Sequence, residues 1–287
     1  TTGANNVAVG SLALDANTTA SNNTAVGASS MGATTTGDQN VAMGAGSLAN
    51  NTTGTINVAI GYQALRDNTT ANNNTAVGNQ ALVLNTTGTQ NTAIGSFALD
   101  AVTTAGQNTA IGYGAGTAAT GDGGTYVGYN AGAAVTTAGL NTVVGSYAFD
   151  AATTAGESVA IGYAALTATT TGASNTAVGY ASLSANTTGT LNTAVGALSL
   201  DANTTANDGT AIGYAALSNN TTGTQNTAVG KHALVANTTG GSNVALGRHA
   251  LAANTTAGNN TGLGYNSLLS NTTGTKNTAV GALSLDA

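Results

Sequence analysis

The sequence predicts an all-β fold: a parallel β-solenoid, or β-roll, of seventeen turns of about 17 residues each. The main observation is a motif resembling N-T-A-V-G that returns throughout the chain. The glycine that closes it recurs every 17 residues, except for a step of 16 between Gly112 and Gly128. A fixed period of this kind indicates one structural unit stacked many times. We therefore expect one repeat array over residues 1–287 rather than several globular domains.

A second observation is a column of aliphatic residues. One turn reads N-T-A-V-G-x-x-A-L-x-x-N-T-T-G-x-x, and we number its positions 1 to 17 from the asparagine. Position 4 is aliphatic in every turn, from Val9 to Val280, which predicts a ladder facing the core. Position 2 is Thr or Val, two β-branched residues of similar shape, and we place it on the same inward face. The first strand is expected to be about five residues long.

Positions 8 and 9 predict a second strand. Position 8 is Ala or Ser and position 9 is mostly Leu, as at Leu65 and Leu82. The glycine at position 5 suits a tight corner between the two strands. The N-T-T-G segment then makes the longer return, since Asn, Thr and Gly each favour turns. Neighbouring turns should lie about 4.8 Å apart.

Two further columns predict how the turns are held and covered. Position 1 is Asn in fourteen of seventeen turns, with Gly124, Ser158 and Gly209 as exceptions, and predicts a ladder of stacked side-chain amides. Position 3, expected to point outward, is mostly Ala. A strand that is apolar on both faces is usually covered on both, so this column favours a seam between copies of the chain, with a homotrimer as first choice. The alternative is that alanine is simply tolerated at the surface.

Charge and composition exclude several classes of partner. Ten acidic and four basic residues give a net charge of −6, which argues against nucleic-acid binding. No apolar run is long enough for a transmembrane helix, so no membrane insertion by this segment is expected. Cysteine is absent, which leaves the redox compartment open. The chain begins at Thr1 and stops within a repeat at Ala287, as we expect of a piece of a longer protein.

Residues that could carry chemistry are few. His232 and His249 occupy position 7 of consecutive turns and should stack about 5 Å apart, beside Lys231 and Arg248. They could share a metal, form a basic patch for an acidic glycan or a neighbouring fibre, or be solvated surface. No carboxylate or cysteine column joins them, so we predict no metal site.

Aspartates recur at position 10, but on separated turns, so they build neither a calcium site nor an acid/base pair. They are Asp15, Asp100, Asp150, Asp201 and Asp286. We therefore predict no catalytic, cofactor-binding or metal-binding residues, no cofactor, and no enzyme activity.

Tyrosines at position 6 form a broken stripe along one edge, which could contact sugars or proteins or simply cover an exposed corner. They are Tyr62, Tyr113, Tyr129, Tyr163, Tyr180, Tyr214 and Tyr265.

The asparagines at position 12 begin N-x-T glycosylation patterns, which matter only in a glycosylating secretory pathway. They are Asn17, Asn51, Asn68, Asn85, Asn186, Asn203, Asn220, Asn237, Asn254 and Asn271.

The Thr-Thr pairs that follow these asparagines resemble the threonine arrays of ice-binding solenoids. Adjacent threonines in a strand point to opposite sides, however, which makes ice binding a less favoured alternative.

The turns around residues 113–135 are irregular. Gly116 and Gly132 replace the position-9 leucine, one residue is deleted, and Tyr126 interrupts the alanine column. We expect the lowest local stability of the array there.

One turn carries a family resemblance. Residues 158–162 read S-V-A-I-G, followed by Tyr163, Ala164 and Ala165. This resembles the S-V-A-I-G-x-x-A repeat of the YadA-like heads of trimeric autotransporter adhesins, and is similar to repeats of phage-type tail fibres. The resemblance covers the first eight positions of every turn and implies a left-handed β-roll assembled as a trimer. The turn here is longer than the adhesin unit, with the extra residues in the N-T-T-G return.

Together these observations predict a structural or adhesive repeat region of an extracellular fibre, either an adhesin head or a tail-fibre shaft. The expected location is extracellular, at the cell surface or on a virion fibre. Expected partners are copies of the same chain, and a surface glycan or matrix protein. The alternative function is a filament subunit whose solenoids stack end to end, favoured because the last residues, A-L-S-L-D-A, repeat letters found in the twelfth turn.

Overall fold

The computed structural model describes residues 1–286 and confirms the β-solenoid. These residues contain no helix, and each turn contributes one strand of three residues. The seventeen strands are β1 Val7–Val9, β2 Thr24–Val26, β3 Val41–Met43, β4 Val58–Ile60, β5 Thr75–Val77, β6 Thr92–Ile94, β7 Thr109–Ile111, β8 Thr125–Val127, β9 Thr142–Val144, β10 Val159–Ile161, β11 Thr176–Val178, β12 Thr193–Val195, β13 Thr210–Ile212, β14 Thr227–Val229, β15 Val244–Leu246, β16 Thr261–Leu263 and β17 Thr278–Val280. The first strand is therefore shorter than the five residues expected.

The chain forms two compact units, Thr1–Asn141 with β1 to β8 and Thr142–Ala287 with β9 to β17. Within each unit, consecutive strands are parallel and in register, so that each position of the repeat stacks on the same position of the next turn. In the first unit, for example, Ala76 pairs with Ala93 and Val77 with Ile94.

The strands face the opposite way from the prediction. Positions 2 and 4 do share a face, but it is the outer one, and the alanines of position 3 point into the roll. Ala59 is fully buried, whereas Ile60 is 38% exposed. The predicted core ladder at position 4 and the predicted outward alanine seam are therefore both wrong.

The position-9 leucine explains this orientation, because it occupies the interior opposite position 3. At Gly262, which stands at position 3, an added Cβ would lie 3.3 Å from Cγ of Leu251 and 3.0 Å from Oγ of Ser267. In turns with a leucine at position 9, only a small side chain fits at position 3, so the larger aliphatic residues of the strand point outward.

Positions 8 and 9 belong to the core, but they do not form the second strand that was predicted. Positions 7 and 9 adopt the left-handed conformation, as in Gln80 with φ of +55° and Leu82 with φ of +51°. This conformation is unfavourable for a leucine. Leu82 is nevertheless fully buried, and its N–H donates to the carbonyl of Ala98 at 3.0 Å. Burial and inter-turn hydrogen bonding offset the local backbone cost.

The asparagine ladder predicted at position 1 is confirmed. The amide Nδ2 of Asn57 donates to Oδ1 of Asn40 at 3.2 Å and to the carbonyl of Ala71 at 2.8 Å. Oδ1 of Asn57 in turn accepts from the backbone N–H of Asn74 at 3.0 Å. Each buried amide thus satisfies polar groups of the turns on either side.

A second asparagine ladder runs through position 12. The amide of Asn68 donates to Oδ1 of Asn51 at 2.9 Å and to the carbonyl of Ala71 at 3.1 Å. The two ladders thus share the position-15 carbonyl as acceptor. Asn51 and Asn68 are fully buried with bonded amides, so the folded chain does not present these two N-x-T asparagines for glycosylation.

Tyr126 fills the interior of the irregular turns. It stands at position 3, is fully buried, and pairs in register with Ala110. A Cβ on Gly116 would lie 2.9 Å from its ring, and one on Gly132 would lie closer still. Tyr126 therefore takes the space of two missing leucines. The expected low stability of residues 113–135 stays a prediction.

Replacing Asn57 by alanine should lower the free energy of unfolding by about 1–3 kcal/mol, because the buried N–H of Asn74 loses its acceptor. Asn57→Ser is the matched variant, since Ser158 stands at position 1 of its own turn and its Oγ accepts from the N–H of Asn175 at 3.2 Å. Urea unfolding should rank the wild type above Asn57→Ser and Asn57→Ser above Asn57→Ala. Equal stability of the two variants would contradict the role assigned to the ladder.

Candidate functional site

The outward side of the strands is one candidate surface, which we call the strand face: the side chains at positions 2 and 4 within each unit. Position 2 is Thr or Val and position 4 is Val, Ile, Leu or Met, so the strand face carries no charge in any turn. Its position-4 side chains are partly to substantially exposed, as at Ile161, Ile212 and Leu246. A contiguous exposed apolar surface of this kind is typical of an interaction site.

The edge beyond the corner glycine is the second candidate surface, which we call the tyrosine edge: the side chains at positions 6 and 7. Its tyrosines are exposed, as the stripe predicted. Tyr113 stacks on Tyr129 with ring centroids 5.5 Å apart, and Tyr163 stacks on Tyr180 at 5.6 Å. Because the stacked rings cover one another's faces, mainly their edges are presented to solvent.

Each tyrosine stack begins with an aromatic residue at position 7 of the preceding turn. Phe97 meets Tyr113 edge-on with centroids 5.7 Å apart, and Tyr147 meets Tyr163 at 6.1 Å. The prediction considered position 6 alone and missed these partners. The signal that could have found them was an aromatic residue at position 7 one turn before a position-6 tyrosine, at Phe97 and at Tyr147.

Four residues of the tyrosine edge form what we call the basic patch: Lys231, His232, Arg248 and His249. The two imidazole centroids lie 5.2 Å apart, which confirms the predicted stacking. Nζ of Lys231 lies 5.5 Å from the ring centroid of Tyr214, and Cζ of Arg248 lies 5.9 Å from that of Tyr265. Both contacts are within the range of cation–π interactions.

The pKa of His249 is held below its usual value. Burial is the largest cause, followed by the positive charges of Arg248, His232 and Lys231. Nε2 of His249 is buried and has no hydrogen-bond partner among residues 1–286. Adding a further positive charge to this patch is therefore unfavourable.

The position-10 aspartates lie on separate turns, as predicted. Burial raises the pKa of Asp100 and of Asp201. Asp100 lies in an open groove with Phe97, Tyr113 and Thr117. Within residues 1–286, no three metal-binding side chains come together.

The Thr-Thr pairs of the return loop are not equivalent. The position-13 hydroxyl donates to the position-13 carbonyl of the next turn, as from Thr52 to Thr69 at 3.0 Å. Position 14, as at Thr53, is exposed. The pairs therefore present one row of free hydroxyls rather than two.

The chain matches no protein-family model, and a search of curated proteins finds no match either. In residues 1–286 no helix is long and apolar enough to span a membrane. The resemblance to YadA-like heads remains a prediction.

Proposed function

We propose that this chain is a non-enzymatic structural and adhesive repeat region of an extracellular fibre, at a cell surface or on a virion, and that its copies associate through the strand face. The observation that supports this most strongly is the unbroken outward column of aliphatic residues. Because the alanines of position 3 lie inside the roll, we place the seam between copies at positions 2 and 4 instead of position 3.

Copies of the same chain are the best fit for the strand face because its chemistry repeats every turn. A partner with the same spacing between turns can match it along the whole length of a unit. The absence of charge removes electrostatic repulsion between identical copies, and β-branched side chains pack well on a pleated surface. A homotrimer, with three strand faces around one axis, is the arrangement that the resemblance favours.

Introducing charge into the strand face should break this association. We expect the wild-type chain to give a species near three times its 27.3 kDa mass in light scattering. Ile161→Glu combined with Ile212→Glu should shift it to the monomer mass, because each copy would bring buried like charges to the axis. Both isoleucines are more than one third exposed within the unit, so the variant should retain its own fold.

The matched control is Thr188→Glu combined with Thr205→Glu, at exposed position 14 of the same unit. It changes the net charge equally but should leave the oligomer intact. Dissociation of the control, or an oligomer that survives the strand-face variant, would contradict the proposal. Filaments that lengthen with concentration would favour the alternative of end-to-end stacking.

Ice binding is a second candidate that the strand face supports in part. Thr at position 2 and Val or Ile at position 4 point outward, separated by one inward alanine, as in Thr210, Ala211 and Ile212. This is the spacing that the Thr-Thr pairs lack. A monomer that shows thermal hysteresis, abolished in Ile161→Glu combined with Ile212→Glu, would favour ice binding over the fibre.

A further inference from the structure

We propose that the basic patch, together with Tyr214 and Tyr265, is a binding site for an acidic saccharide, whose carboxylate or sulfate is held between Lys231 and Arg248. This deepens the adhesive role proposed above by naming a ligand class. The site itself requires only the second unit, which contains every residue involved.

The first supporting observation is the distribution of charge along the chain. Between Asp208 and Asp286 there is no acidic residue, yet this stretch contains both histidines and Lys231, Arg248 and Lys276. The chain as a whole carries a net charge of −6. The patch is therefore a local positive region in an otherwise acidic protein. Within residues 1–286 its cations form no ion pair like that of Arg66 with Asp67, at 2.6 Å.

The second observation is the direction of the two cations. Lys231 lies over Tyr214 of the preceding turn, and Arg248 lies over Tyr265 of the following turn. The two positive groups are thus turned away from each other, as like charges in adjacent turns would be. To bind one anionic group, both side chains would turn back from these rings towards each other, and the arginine can then bind the group with two parallel hydrogen bonds.

The third observation favours a sugar as the carrier of the anionic group. Tyr214 and Tyr265 flank the patch at its two ends, and each is about half exposed. Aromatic rings of this kind combine an apolar body with a polar hydroxyl, which suits the mixed surface of a saccharide. A long nucleic acid fits less well, because the acidic remainder of the chain would repel its phosphates.

A metal ion fits the patch poorly. The two imidazoles could approach one ion, but Lys231 and Arg248 lie next to them and would repel a divalent cation. The same repulsion, with burial, lowers the pKa of His249, and a bound anion would oppose it. Acidification should therefore strengthen binding of an anion and weaken binding of a metal.

The test measures binding of the full chain to an immobilised oligosaccharide that carries carboxylates and sulfates, and to the same oligosaccharide after desulfation and carboxyl reduction. We expect binding to the acidic form only, tighter at about pH 5.5 than at about pH 7.5, since His249 gains its proton below the usual histidine pKa of about 6.5. Lys231→Gln combined with Arg248→Gln should weaken binding about tenfold or more.

Arg66→Gln combined with Lys276→Gln is the matched control, since it removes two positive charges outside the patch and should change the affinity little. Tyr214→Ala combined with Tyr265→Ala should weaken the oligosaccharide but not inorganic sulfate. The proposal would be overturned if both double charge variants lost the same affinity, or if the neutral oligosaccharide bound as well as the acidic one. It would also be overturned if inorganic sulfate bound as tightly as the oligosaccharide, or if binding required Zn²⁺. Light scattering on the same samples shows whether the chain still self-associates, so a loss of oligosaccharide binding can be distinguished from a loss of self-association.

Discussion

Replacing Tyr126 by alanine should lower the free energy of unfolding of the first unit by about 3–5 kcal/mol, the cost usually found for removing a large buried aromatic side chain. The ring of Tyr126 lies against both Gly116 and Gly132, where Leu99 contacts only the Gly116 side, so its loss leaves a cavity that the rigid turns around it cannot close. Denaturant unfolding, with hydrogen exchange to locate the change, measures both the size and the place of the effect.

Two further variants make this expectation specific. Tyr126→Phe should be as stable as the wild type or slightly more so, because the buried hydroxyl has no hydrogen-bond partner among the described residues and burial raises the pKa of Tyr126 to about 12. Tyr126→Ala combined with Gly116→Leu and Gly132→Leu restores the regular pattern and should recover most of the lost stability. No recovery in this triple variant would show that the tyrosine does not replace the leucines.

The second large effect is expected at the corner glycine. Gly78→Ala should destabilise the first unit by about 3 kcal/mol or more, through backbone strain and steric overlap. The φ of Gly78 is +141°, which residues with a side chain rarely adopt, and an added Cβ would lie 2.5 Å from the carbonyl oxygen of Gly95. The added Cβ and this oxygen cannot move apart, because the sheet holds the backbones of the two turns in register. Thermal unfolding gives the measurement.

Gly46→Ala provides the comparison for Gly78→Ala. Gly46 stands at position 7 with φ of +67°, and an added Cβ would meet only Cγ of Gln63, at 3.4 Å. Residues with side chains occupy this position in most turns, so this substitution should cost far less. Similar losses of stability for Gly46→Ala and Gly78→Ala would argue against a special requirement at the corner.

The repeating features of the fold could be predicted from the sequence because each depends on a single residue type. Glycine at position 5, asparagine at position 1 and the histidine pair at position 7 all lie where the columns placed them. The ladder at position 12 could have been predicted in the same way over the turns where the column is Asn, as at Asn51, Asn68 and Asn85. The prediction treated N-T-T-G only as a turn and therefore missed this ladder.

The direction of the strands could not be predicted from the same columns. The alternation of side chains shows that positions 2 and 4 share a face, but not which face points inward. What decides this is the leucine at position 9, which points inward from a left-handed backbone such as that of Leu82, with φ of +51°. A non-glycine residue gives no sign in the sequence that it adopts this conformation.

The strand face and the basic patch lie on different sides of the second unit. Ile161 and Ile212 lie on the outer side of the strands, and Lys231 and Arg248 lie beyond the corner glycine. The proposed self-association and the proposed ligand binding would therefore use different sides of the second unit. Association through the strand face is expected to leave the basic patch exposed. One repeat could in this way provide both a structural seam and an adhesive edge.

The most direct test of the strand face is a distance measurement between copies. The chain contains no cysteine, so a spin label can be attached at Ile161→Cys or, separately, at Thr188→Cys. Since facing sheets pack about 10 Å apart, labels at Ile161→Cys should lie within about 10–20 Å of one another in the assembled protein. Labels at Thr188→Cys should be clearly more distant. Short distances at Thr188→Cys with none at Ile161→Cys would contradict association through the strand face.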